Sequence, residues 1–167
     1  MSTKYYKILM PGRMPCHGGQ GAYPPPGTPT PTVEVDPCKS GYHVCEEKDV
    51  RHWLKLDVEV WTVEGHGEGV RDSRKTVFPS VALGECLGTL TREALVEYAC
   101  RCAESVLHLV PGDCQPACQW AIDAARRGDV EECHAAADAA VYAAARATYA
   151  ARAADLPSIL DVLKDFA

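Results

Sequence analysis

Five side chains in the first third of the sequence, Cys16, His17, Cys38, His43 and Cys45, are of the types that coordinate zinc. In a strand, His43 and Cys45 would project to one face, so a thiolate and an imidazole could converge there. The spacing is not that of a zinc finger, because six residues separate Cys38 from Cys45 where a finger has two to four. The same residues therefore carry a second reading, in which Cys38 and Cys45 are packed thiols and His43 is a hydrogen-bonded, half-buried ring. Further along, Cys114 and Cys118 share a helix face ahead of Cys133-His134, but their apolar neighbours favour core packing. Cys100 and Cys102 lean to different sides of one helix, and His108 suits the negative end of a helix dipole.

Gly65-His66-Gly67-Glu68-Gly69 has the glycine spacing of a phosphate-binding loop but not its setting. No helix pattern opens after it, and Glu64, Glu68 and Asp72 would repel phosphate, so it is expected to be a hairpin connection. The net charge is −6 and the basic residues are not clustered beyond Arg126-Arg127, which excludes a nucleic-acid partner held by grouped cations. No run approaches the ~20 apolar residues of a membrane span, and Met1 to Tyr6 lacks the apolar core of a signal peptide. With nine cysteines, an odd number, the expectation is reduced thiols in the cytoplasm of a host cell and no membrane association.

The elements that must position these residues change character near residue 89. Nine of twelve prolines and eleven of thirteen glycines precede that point, whereas twenty-one alanines follow it and only two precede it. In the first part, Tyr5–Met10 predicts a strand stopped by Pro11-Gly12, and the proline- and glycine-rich residues 11–32 predict a long covering loop. Thr32–Val35 and Gly41–Cys45 read as short strands, Glu46–Leu54 as a helix with Val50, Trp53 and Leu54 on one face, and Leu56–Val63 as an alternating strand. In the second part, Thr91 is expected to cap a helix to Val110, and Asp113 to cap another that ends at Gly128. Asp129 and Glu132 have the spacing of a capping box for an alanine-rich third helix, with Tyr142 and Tyr149 along one seam. A last helix carries Ile159, Leu160, Val162, Leu163 and Phe166, which need a groove.

Two resemblances follow from particular residues. Tyr6-Lys7-Ile8-Leu9, Cys16-His17-Gly18-Gly19, Pro37 to Cys45 and Asp49 to Leu54 resemble a family of small uncharacterised proteins from actinobacterial phages and their hosts. Cys102 to Leu107 and the alanine-rich helices after it are similar to the helical part of those proteins and to a helical region of immunity proteins. This resemblance implies an accessory role in a phage or prophage setting and no activity. His17-Gly18-Gly19, then Gly41-Tyr42-His43-Val44 with its helix, then Glu85, occur in the order found in short ADP-ribosyltransferase-like domains, which they resemble. That resemblance implies NAD as cofactor, with Gly18, Gly41 and Tyr42 around it. His17 would bind the nicotinamide ribose, His43 would stack on nicotinamide, and Glu85 would polarise the ribose 2′-hydroxyl. Gly19 and Cys45 stand where that pattern has hydroxyl side chains.

The expected fold is α+β: an antiparallel or mixed N-terminal sheet with one short helix over residues 1–88, then an alanine-rich bundle of three to four helices over 89–167. The first functional reading is a non-catalytic accessory module without a cofactor, acting on host defence or regulation. It would bind a protein partner, or a second copy, through the alanine seam and the apolar last helix. The alternatives are an ADP-ribosyltransferase-like NAD-binding enzyme or a degenerate relative, with catalytic His17, His43 and Glu85, and a small zinc protein using Cys16, His17, Cys38, His43 and Cys45.

Overall fold

The computed structural model describes residues 3–37, 39–110, 112–129 and 157–166. The chain is α+β and divides into two compact units, Met1–Arg92 with Ser158–Ala167, and Glu93–Pro157. The expected boundary after residue 88 groups the last helix with the other helices. In the structure that helix returns to the sheet unit.

Among the described residues seven antiparallel strands build the first unit: β1 (Tyr5–Met10), β2 (Met14–Pro15), β3 (Tyr42–Glu46), β4 (Glu59–His66), β5 (Val70–Asp72), β6 (Lys75–Phe78) and β7 (Ser80–Thr89). Their order is β5-β6-β3-β1-β4-β7, with β2 folded back on β1. Pro79 alone joins β6, near one edge of that order, to β7 at the other edge. One residue spans only a few ångströms, so the sheet has to curl until its two sides meet. Phe78 fills the resulting interior, where its ring lies edge-on to Tyr5 with centroids 5.2 Å apart and clusters with Val44 and Val81. Gly65 is required where β4 passes this ring, because a Cβ there would lie 2.6 Å from Phe78 Cζ. Leu9, Trp61 and Leu83 form the neighbouring part of the core with Tyr23 against them.

Several local expectations shift for non-local reasons. Val58 and Val60 are buried as the alternation implied, but Leu56 is exposed, Asp57 takes φ 61°, and irregularities in the β4–β7 register around Trp61 bring that ring into the core. The glycine segment after β4 is not a hairpin: β4 pairs with β1 and β7, while β5 pairs with β6 across a turn in which Ser73 has φ 54°. Thr32–Val35 forms no strand, since Pro29, Pro31 and Pro37 interrupt the donors a ladder needs. The segment is tied instead by single bonds, Val33 N to Pro79 O at 2.9 Å and Thr30 N to Val81 O at 2.8 Å. The helix expected over 46–54 is one turn, α1 (Glu47–Val50), followed by a turn that carries Trp53.

The helical unit contains α2 (Arg92–Val106), a 3-10 turn at Leu107–Leu109 and α3 (Gln115–Arg127). Cys114, not Asp113, occupies the α3 N-cap position, without a side-chain cap, and Gly128 ends the helix with φ 72°. Cys114 and Cys118 pack with Leu107 against Val110, and buried Cys100 donates to Ile122 O at 3.6 Å, so these thiols serve as core. Arg126 binds Glu97 and Glu104 across the α2–α3 pair. The alanine-rich helix, its tyrosine seam, Cys133-His134 and the partner half of the Asp129–Glu132 capping box lie outside the described residues. In the sheet unit α4 (Ile159–Phe166) packs on β7 and buries Ile159, Leu160, Val162 and Leu163, so the groove these residues need is the chain's own sheet, while Phe166 stays exposed. Among the described residues no helix is long and apolar enough to cross a membrane.

Candidate functional site

The central strand β1 is bordered on one side by β4 along Tyr5–Leu9. On its other side it changes neighbour: Tyr5 and Tyr6 pair with Glu46 and Cys45 of β3, whereas Leu9 and Met10 pair with Pro15 and Met14 of β2. Lys7 and Ile8 fall between the two ladders and have no register partner on that side. The sheet is split there, and side chains take over the open backbone acceptors. Cys16 Sγ donates to Ile8 O at 3.1 Å, Cys45 Sγ to Tyr6 O at 3.6 Å, and Lys7 Nζ to His43 O at 2.6 Å.

A cavity of about 290 Å³ occupies the split, with β1, β3, the Pro15–Gly18 segment, Trp53 and Lys75 as walls. A wider groove of about 790 Å³ runs beneath the proline loop and shares Lys7, Pro15, His17, Gly18 and His43 with it. The His17 and Trp53 rings meet edge-on at 5.5 Å, and Trp53 is placed by the turn that returns its backbone N–H to Val50 O. Nε2 of His43 and Nε1 of Trp53 are buried without a hydrogen-bond partner among the described residues.

The walls of the cavity are basic. Lys7 and Lys75 contribute amines, His17 and His43 contribute imidazoles, and among the described residues no Asp or Glu lines it, although Lys75 pairs with Asp72 behind the wall at 3.5 Å and donates to Pro37 O at 3.0 Å. Lys7 lies on the same face of β1 as Tyr5 and Leu9, an inward-facing register for a cation. Its ammonium has a carbonyl and the Tyr23 ring, 5.4 Å away, but no carboxylate within bridging distance among the described residues. Desolvation lowers its pKa to about 8. Burial, then the charges of Lys75 and Lys7, hold His43 below the usual imidazole range, and burial followed by Lys7 does the same to His17. Burial pushes the Cys16 thiol up and takes Cys45 to about 12, so both remain thiols at neutral pH.

The residues singled out from sequence are thus partly assembled. Cys16, His17, His43 and Cys45 line the one cavity, although no group of three His, Cys, Asp or Glu among the described residues is arranged to hold a metal ion, and Cys38 lies outside them. Gly18 lines both the cavity and the groove, while Gly41 and Tyr42 line the groove only. Glu85 stands apart on β7, exposed, with its backbone N–H on Thr62 Oγ1 at 2.8 Å; it lines a separate concavity with Glu47, Glu64 and Leu160. Lys7, Trp53 and Lys75 were not anticipated. The only charge inside the strand Tyr5–Met10 was the signal available for Lys7. Compared with family models, curated proteins and solved structures, the chain matches none, so the site is read from its own geometry.

Proposed function

We propose that the protein is a non-catalytic binding module whose split-sheet cavity takes an anionic small molecule bearing a flat ring, of the NAD class. The observation that carries this reading is the lining of the cavity: two lysines, two histidines and Trp53, with no carboxylate among the described residues. A half-buried ammonium without a counter-ion is costly, and a ligand phosphate would offset that cost. Trp53 and His17 supply the apolar, ring-sized surface against which a nicotinamide or a base would pack. The cavity is near the lower end of ligand-site volumes, about 300 Å³, and the adjoining groove offers room for the rest of a dinucleotide.

Group transfer is disfavoured by the position of Glu85. The acid that would polarise the ribose hydroxyl lines another concavity, so the site fits a degenerate relative of ADP-ribosyltransferase-like domains better than an active one. An accessory role in a phage setting agrees with such a module. The protein-partner version loses most of the support of the last helix, whose Ile159, Leu160, Val162 and Leu163 are internal while Phe166 alone of that apolar set is exposed.

Thermal shift and calorimetry with NAD, ADP-ribose and the uncharged nucleoside adenosine test the proposal. NAD and ADP-ribose should raise the melting temperature and adenosine should not, while Lys75→Ala and Trp53→Ala each weaken binding by about ten-fold or more. Nicotinamide release from NAD should stay at the rate of a protein-free control. Equal response to adenosine, or no response to either nucleotide, would overturn it.

A further inference from the structure

In that reading Lys75 supplies an anchoring charge at the cavity wall, but Lys7 has a placement that anchoring alone does not require. It projects from the middle of the central strand into the split, and its Nζ is fixed by the 2.6 Å contact to His43 O and by the Tyr23 ring. We propose that Lys7 is a carbonyl-capturing nucleophile, whose amine condenses with the aldehyde of a phosphorylated sugar, such as the ring-opened ribose of ADP-ribose, seated in the cavity.

The inference rests on the binding reading above and deepens it by naming the reactive group of the ligand. The amine lone pair attacks the aldehyde carbon, and the carbonyl π pair moves to oxygen, which takes a proton to give a carbinolamine. Loss of the hydroxyl as water and of the proton from nitrogen then leaves the C=N bond. The net change is amine plus aldehyde to imine plus water, with no oxidant or reductant.

Three features of the site favour this chemistry at Lys7. With its pKa near 8, about one Lys7 in ten is free amine at pH 7, a far larger share than for a lysine in water. The ammonium is the stronger donor to the His43 carbonyl, but the neutral amine still carries an N–H that this oxygen accepts, so the bond holds the nucleophile near its position after deprotonation. The neighbouring thiols do not compete, because Cys16 and Cys45 are engaged as donors to backbone carbonyls and burial keeps them protonated. His17 and His43, both held toward the neutral form, are bases at the cavity wall for the proton transfers.

The test is reductive trapping. The full chain is incubated with ADP-ribose and cyanoborohydride, and in parallel with NAD, whose ribose carbon is blocked by nicotinamide and carries no aldehyde. Intact mass and peptide mapping then locate the adduct. One adduct per chain is expected at Lys7 with ADP-ribose and none with NAD, formed about ten-fold faster than at exposed Lys4 or Lys48 and rising with pH about a midpoint near 8. Lys7→Arg should abolish it. Lys75→Ala should slow trapping of ADP-ribose at Lys7 more than trapping of uncharged glyceraldehyde. Label spread over exposed lysines with Lys7 unmodified, or a melting shift with ADP-ribose but no adduct, overturns the imine alone. Absence of both shift and adduct overturns the binding reading with it.

Discussion

Replacing Lys7 by methionine should stabilise the ligand-free protein at neutral pH. The substitution keeps the length and most of the apolar stem while removing a cation that β1 holds without a carboxylate among the described residues. Lowering its pKa from 10.5 to about 8, at about 1.4 kcal/mol per factor of ten, sets the cost of the folded ammonium on the order of 3 kcal/mol. The variant also loses the hydrogen bond to His43 O, about 1 kcal/mol, and the contact with Tyr23, about 0.5–1 kcal/mol. The net gain is about 1–2 kcal/mol at pH 7, or several degrees in melting temperature for a chain of this size. The sign with pH follows from linkage. Between about 8 and 10.5 the unfolded lysine binds a proton that the folded one does not, so the cost is present in full below pH 8 and is relieved as pH rises through that window. The methionine variant should therefore be the more stable protein at pH 7 and should lose that advantage by pH 10. Urea unfolding of both proteins at the two pH values, under reducing conditions, measures the difference while other titrations cancel. A variant less stable than its parent at pH 7, or a difference that does not change with pH, would refute the reasoning.

Gly65→Ala should destabilise the sheet unit by about 1–3 kcal/mol, since its Cβ would meet the buried Phe78 ring at 2.6 Å, and Phe78→Leu in the same chain should restore part of the loss in urea titrations. Thr30→Val removes the Oγ1 that accepts the buried Val81 N–H at 3.0 Å and contacts Ser80, so it should cost about 1–3 kcal/mol and speed limited proteolysis within residues 11–32. Arg126→Ala should lower the melting temperature by a few degrees, about 1 kcal/mol after solvent screening. Hydrogen bonds from Arg126 hold Glu97 and Glu104 below the usual carboxylate range, so this contribution is present above their unfolded values and the gap between the proteins should close as pH falls through that range in calorimetry.

What could be read along the chain was local. Tyr5–Met10, the strand around His43 and the stop at Gly128 follow from alternation, β-propensity and a left-handed glycine, all settled within a few residues. The side chains Cys16, His17, His43 and Cys45 were grouped by type, and the structure does set them around one cavity. The cavity itself depends on a change of partner along β1, which no spacing encodes. Both faces of β1 are covered, with Leu9 buried on one and Tyr6 and Ile8 on the other, so alternation does not reveal that Lys7 and Ile8 sit where the strand changes neighbour from β3 to β2. The Gly65–Gly69 segment fails for a similar reason: turn chemistry is visible in the residues, but which strands it connects is decided by an order that places β4 and β5 far apart. Glu85 matched a pattern in sequence order and still lines another concavity, because proximity in a curled sheet depends on strand order more than on chain order.

The docking of α4 on β7 makes the sheet unit discontinuous, with the helical unit inserted between β7 and the helix that covers it. During synthesis the strands emerge first, and β7 must wait with its apolar flank uncovered until Ile159 to Leu163 have left the ribosome. Such a late closure is a long-range step, slow compared with local helix formation, and it leaves a window in which the nascent chain is most exposed to chaperones or to aggregation.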